Sequence, residues 1–115
     1  MLNKPSRGEV WFVDLDPTVG HEQAKARPCL VISSDDFNHG PSNLHIIVPI
    51  TSTDKSNPLH VSIKPSEGGV DKPSFILCDQ IRTVSRKRFR GKGLGIVSNL
   101  TLNAVEYILA ILINV

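Results

Sequence analysis

Apolar residues fall along this chain in short runs separated by breaks rich in Gly, Pro, Ser and Asp, a rhythm of short strands rather than of a helical bundle. Val10-Trp11-Phe12-Val13 is rich in strand formers, and the segment from Asp14 to Thr18, with Pro17, closes it, which predicts a first strand over 8–15. Both faces of that strand are apolar, so it is expected to be buried on two sides. Cys29 to Ile32 predicts a second short strand, followed by a Ser/Asp/Asn/Gly/Pro-rich loop through Asn43, and His45 to Ile50 predicts a third. Leu59, Val61 and Ile63 alternate with His60, Ser62 and Lys64, the period-two signature of a half-exposed strand. After a turn region over 64–73, Phe75-Ile76-Leu77-Cys78 opens a fifth strand that is expected to run on through Gln80, Ile81 and Arg82 to Val84. A weaker strand is expected around 94–97. Ser98 then reads as an N-cap, and Leu102, Val105, Leu109 and Leu112 recur at helical spacing, predicting one amphipathic helix over 99–113. The fold class that follows is mainly β: a small, strongly curved antiparallel sheet or barrel with a C-terminal helix packed on it.

At 115 residues and 40% hydrophobic content the chain suits one compact domain, 1–115, with a real core. The first nine residues are polar, contain Pro5 and lack the apolar stretch of a secretory signal, so a cytoplasmic location is expected. The apolar run at the C-terminus is about half the length a membrane-spanning helix needs, and Glu106 interrupts it. Cys29 and Cys78 lie inside apolar runs, which predicts buried free thiols rather than a disulfide or a thiolate metal site. Net charge is only +2, yet Arg82, Arg86, Lys87, Arg88, Arg90 and Lys92 crowd one region. That run reads either as a solvated face or as a nucleic-acid contact.

Polar, chemically capable residues concentrate between the first two strands, where Gly20 to Pro28 reads Gly-His-Glu-Gln-Ala-Lys-Ala-Arg-Pro. A loop held by strands is a usual place for chemistry in a small domain. Arg27 is an always-charged, five-donor group, and Pro28 after it biases its backbone toward an extended form. Such an arginine suits a phosphate.

Arg7-Gly8-Glu9-Val10-Trp11, followed by Asp14-Leu15, Pro17, Gly20, Glu22-Gln23 and Arg27-Pro28, resembles the N-terminal signature of MazF/PemK toxins. Pro49-Ile50-Thr51 resembles that family's second functional segment, and Asp79-Gln80-Ile81-Arg82-Thr83 its Glu-Gln-Ile-Arg-Thr element. The resemblance covers nearly the whole chain. It implies a CcdB/MazF-like, SH3-like barrel assembled as a homodimer, and a ribosome-independent, metal-free endoribonuclease that cuts single-stranded RNA and needs no cofactor. It also implies a cognate antitoxin as partner, with DNA engaged only through the toxin-antitoxin complex and no role for a membrane. The family's catalytic Arg and Thr correspond to Arg27 and Thr51. Two departures stand out: Ala24-Lys25-Ala26 brings an extra cation, and Asp79 replaces the commoner Glu.

Metal-free RNA cleavage uses the neighbouring 2′-hydroxyl as nucleophile and leaves a 2′,3′-cyclic phosphate, so positioning and electrostatics dominate. Arg27 can offer two parallel N–H donors to the non-bridging oxygens, and Thr51 a hydroxyl. With a pKa above about 12 a guanidinium is a poor base. His21 is either a proton shuttle or an exposed loop histidine, and Glu22 is either a base or orienter of Arg27, or a carboxylate paired with Lys25. Gln23 and Gln80 either read base edges or bond to backbone. Thr53 and Ser52 support Thr51 or bond locally. Pro28 and Arg82 complete the set of supporting positions. His39, His45 and His60 lack ligand spacing and read as structural or surface residues. Trp11 and Phe12 read as core rather than as base-stacking platforms. Two other readings share the fold class: a gyrase-targeting CcdB-like toxin, against which the lack of a C-terminal Trp counts, and a non-catalytic RNA- or protein-binding module.

Overall fold

The computed structural model describes residues 4–114. In chain order the elements are β1 (Glu9–Asp14), β2 (Ala26–Val31), α1 (Asp35–Asn38), β3 (Leu44–Thr51), β4 (His60–Ile63), β5 (Ser74–Leu77), β6 (Arg82–Ser85), β7 (Phe89–Ile96) and α2 (Asn99–Leu112). The strands are antiparallel in the order β4-β5-β3-β2-β1-β7, with β6 also on β3. The sheet is strongly curved but does not close into a barrel, since β4 and β7 stay at its edges.

One strand organises the rest. Along one side β3 carries β2, from Val31↔Ile47 to Cys29↔Pro49. Along the other it carries β6 with its first half, Leu44↔Ser85 to Ile47↔Arg82, and β5 with its last two residues, Ile50↔Ile76 and Thr51↔Phe75. The single strand expected over 75–84 is therefore two, separated by a 3₁₀ turn at Cys78–Gln80. Ile76, Leu77 and Cys78 are all buried, which a strand with one solvated face cannot achieve, and the turn is the corner that hides all three.

The curvature gives the sheet two cores. Val10, Leu30, Val48, Ile50 and Ile76 pack on one face with Val105 and Leu109 of α2, while Trp11, Val13, Leu15, Cys29, Val31, Ile47, Val84 and Phe89 fill the other. Burial of β1 on both faces is thus as expected, with one exception: Phe12 is 41% exposed.

Three further elements differ from expectation. β7 starts at Phe89 rather than near 94, because Gly91, Gly93 and Gly95 dilute its apolar signal. A Cβ on Gly69 would lie 2.2 Å from the Leu94 carbonyl oxygen, so β7 and the turn Glu67–Gly69 meet backbone to backbone. The loop after β2 contains α1, whose Phe37 N–H is accepted by Ser34 Oγ at 3.4 Å. Buried Asn38 on α1 is bonded to Ser33 and, at 3.1 Å, to His45 Nδ1. Burial, with Arg86 and His39 nearby, holds the pKa of His45 below its ordinary value.

α2 begins as read, with Ser98 Oγ accepting from Thr101 N–H at 3.2 Å. Glu67 adds a second cap: its Oε2 accepts from Ser98 N–H at 3.0 Å and from the Ser98 and Thr101 hydroxyls. Both cysteines are buried free thiols. Burial pushes Cys29 up to about 12, against the pull of Arg82 and Arg27, and Cys78 up to about 11.

Candidate functional site

Arg27 and Pro28 lie inside β2, not at the end of a loop, because β2 begins at Ala26 and pairs Val13↔Arg27 and Phe12↔Pro28. Proline lacks the N–H a ladder needs, and both Pro28 and Pro49 fall where β2 and β3 part. Their pairing stops at Cys29↔Pro49, and two further residues of the same register would set Arg27 opposite Thr51. The strands stop bonding just where these side chains emerge.

Arg27 is half-buried, and its Nε donates to the Ala24 carbonyl at 3.0 Å. Its two terminal amino groups make no hydrogen bond among the described residues. Thr51 is buried, and its Oγ1 accepts the Thr53 N–H at 3.2 Å, leaving the hydroxyl proton to donate. Arg27, Pro28 and Thr51 line one open cleft of about 400 Å³ together with Phe12, Ser52, Asp71, Lys72 and Leu94. Phe12, read from the sequence as core rather than as a stacking platform, instead faces this cleft. In a run of four apolar residues nothing marks the one that faces outward.

A second cleft, of about 420 Å³, is lined by His21, Glu22, Gln23, Pro49, Asp79, Gln80 and Arg82. Pro49 and Thr51 are two residues apart on β3, and Arg27 and Arg82 both act on the Cys29 thiol, so the two clefts are neighbours on one surface. The predicted residues are therefore divided between them. Arg27, Pro28 and Thr51 share the first; His21, Glu22, Gln23, Gln80 and Arg82 share the second; Lys25 and Thr53 line neither.

Most of the second group is engaged with the protein itself. Gln80 Oε1 accepts the Gln23 N–H at 2.7 Å, and its Nε2 donates to the His21 carbonyl at 3.4 Å, which is the backbone-bonding alternative for Gln80. Glu22 neither orients Arg27 nor pairs with Lys25; its carboxylate accepts the Val19 N–H at 2.5 Å. Arg82 donates to the Leu15 carbonyl at 2.6 Å. Lys25 adopts φ +66°, its N–H donating to Asp16 Oδ1 at 2.9 Å while its side chain is exposed.

The basic run is likewise partly structural. Arg88 donates to the carbonyls of Asp14 and Asp16 at 3.1 and 2.5 Å, and Arg90 pairs with Asp14 at 3.1 Å. The Arg86 guanidinium lies 5.3 Å from the Trp11 ring centroid. Arg88 and Arg90 fasten the base of the β1–β2 loop. Of the histidines, His21 and His39 are exposed and His45 is core, while His60 contacts Asp79 at the edge of the second cleft. Among the described residues no three His, Cys, Asp or Glu side chains are grouped to hold a metal ion, and no helix is long and apolar enough to cross a membrane.

Residues 6–113 match the family model described as PemK-like, MazF-like toxin of type II toxin-antitoxin system. The chain belongs to that family. It is 36% identical over 100 residues to the endoribonuclease PemK of Escherichia coli, a match covering 86% of this chain and 74% of PemK. It is 38% identical over 87 residues to the endoribonuclease EndoA of Bacillus subtilis, covering 75% of each. Its fold superposes on the crystal structure of MazF from Deinococcus radiodurans with a TM-score of 0.85 at 29% identity, covering 96% of this chain and 97% of that one. A mycobacterial endoribonuclease in complex with its cognate antitoxin is similar too, with a TM-score of 0.78 at 26% identity and 96% of each chain covered. The fold that carries Arg27 and Thr51 is thus one shared with a solved MazF structure.

Proposed function

We propose that this chain is an endoribonuclease toxin that cleaves single-stranded mRNA at a specific short sequence, inhibiting translation and growth until a cognate antitoxin neutralises it. The observation that carries the reading is Arg27, with both terminal amino groups unbonded, sharing one cleft with the Thr51 hydroxyl on the neighbouring strand. The relatives named endoribonuclease and the antitoxin complex of a similar chain support it.

On this reading the scissile phosphate binds between Arg27 and Thr51. The RNA's own 2′-hydroxyl attacks phosphorus, the 5′-oxygen leaves, and a 2′,3′-cyclic phosphate results. No metal and no ribosome is required. Arg27 stabilises the charge gathering on the non-bridging oxygens in a fork geometry that lysine cannot match, and the Thr51 hydroxyl donates to the same group. Lys72, in the same cleft, adds attraction for the backbone. Flanking nucleotides run over Pro49 into the second cleft, where Gln23, His21 and Arg82 contact them, and Phe12 offers a flat face to a base. The 1–115 chain acts as one toxin domain, in the cytoplasm, as a homodimer. An acidic antitoxin segment covering the same cationic surface would exclude RNA by occupying it.

The test is cleavage of single-stranded RNA by the purified protein in EDTA. The wild type is expected to leave 2′,3′-cyclic phosphate ends. Arg27→Ala and Thr51→Ala are each expected to lose about a hundredfold or more in rate, the scale of removing a transition-state donor worth ~3 kcal/mol, with unfolding midpoints unchanged. Full activity in both variants overturns the assignment.

A further inference from the structure

We infer that His60 is a positioning residue for the β1–β2 loop, acting through Asp79 and Gln80 on the wall of the second cleft. On the edge strand β4, His60 pairs with Leu77, immediately before the turn Cys78–Gln80. Its Nε2–H donates to Asp79 Oδ1 at 3.2 Å; the imidazole is only 6% exposed and the carboxylate 31%. Its Nδ1 is buried and makes no hydrogen bond among the described residues. For packing alone an apolar ring would fill this space without leaving a nitrogen stranded. What the imidazole adds is the bond to Asp79.

That bond fixes the turn from which the adjacent Gln80 reaches the loop, accepting from Gln23 N–H and donating to the His21 carbonyl. Within residues 19–23 the other hydrogen bonds are local, between Val19 and Glu22. Among the described residues, Gln80 alone ties this stretch to another element by hydrogen bonds. A side chain on the far edge of the sheet thereby sets the cleft wall carrying His21, Glu22 and Gln23. It does so without touching Arg27 or Thr51. The kinetic part of this inference rests on the ribonuclease reading above; the structural part does not.

The test compares His60→Phe and His60→Gln in the full chain, since a glutamine amide can donate to the same carboxylate and a phenyl ring cannot. In His60→Phe the Gln23 amide is expected to exchange about tenfold faster. For an oligoribonucleotide spanning the cleavage site mapped on the wild type, KM should rise about tenfold while kcat stays within about twofold. His60→Gln should restore both. Gln80→Ala, which cuts the same relay at its loop end, should reproduce the loosened loop should His60→Phe not fold. Unchanged Gln23 exchange in His60→Phe and Gln80→Ala, equal loosening in the Phe and Gln variants, or a loss confined to kcat overturns the inference. A wild type that cleaves no RNA overturns the ribonuclease reading, while Gln23 exchange still decides the role of His60.

Discussion

Lys25 holds a backbone conformation, φ +66°, that a side chain makes costly and glycine adopts freely. Its backbone N–H and carbonyl are both bonded, to Asp16 and Leu15, so the conformation is fixed by the fold. Lys25→Gly is therefore expected to raise stability by about 0.5–1 kcal/mol in urea unfolding, the strain released less the extra chain entropy of glycine. If the exposed ammonium meets RNA phosphate, the same variant lowers the slope of log affinity against log salt by about 0.7. An unchanged slope leaves Lys25 to solvent; a loss of stability removes the strain argument. At this scale the sequence was most informative about residue type. An Arg-Pro pair and a Thr closing an apolar run are visible in one dimension, and both side chains do share a cleft. Which neighbours they meet depends on strands distant in sequence. His21, six residues before Arg27, lines the other cleft, whereas Phe12 and Lys72 join Arg27 from other segments.

Elements with a strong period were legible, and those held by tertiary contact were not. α2 follows its hydrophobic spacing closely, and β4 does so except at His60, whose imidazole is buried. β7 is carried across three glycines by its pairing with β1, and the break between β5 and β6 comes from a corner that no local pattern announces. Glu67 illustrates the same point for α2. Ser98 is recognisable as its cap, but a carboxylate 31 residues earlier supplies a second one. Although burial pushes the carboxyl up, the bonds from Thr101 and Ser98 hold its pKa below the ordinary 4.5. Glu67→Ala should cost about 1–2 kcal/mol at neutral pH. Because the folded value is depressed, this contribution is complete above about pH 4.5 and disappears as pH falls through the folded pKa. Urea midpoints measured from pH 7 down to 3 should thus converge for wild type and variant in acid. A constant gap across that range would mean that the carboxylate charge plays no part.

Over the whole molecule, the apolar residues of β1 leave little surface for self-association. Val10, Trp11, Val13 and Leu15 are consumed by the two cores of one chain. The uncovered apolar stripe is on α2, where Leu100, Tyr107 and Ile111 are 82%, 71% and 59% exposed, opposite the buried Thr101, Val105 and Leu109. If the chain is a homodimer through this stripe, light scattering should give twice the chain mass for the wild type and the single mass for Tyr107→Glu. A dimer that persists in the variant moves the interface elsewhere.

The pairing of β1 with β7 joins residues 9–13 to residues 89–96, and Leu94 of β7 lines the cleft with Arg27 and Thr51. A chain emerging from the ribosome therefore presents Arg27 and Thr51 long before the strand that completes their surroundings. Pairings of such sequence separation form late. On the proposed reading, destructive activity awaits the pairing of β7 with β1, because Arg27 and Thr51 share a complete cleft only once Leu94 is in place.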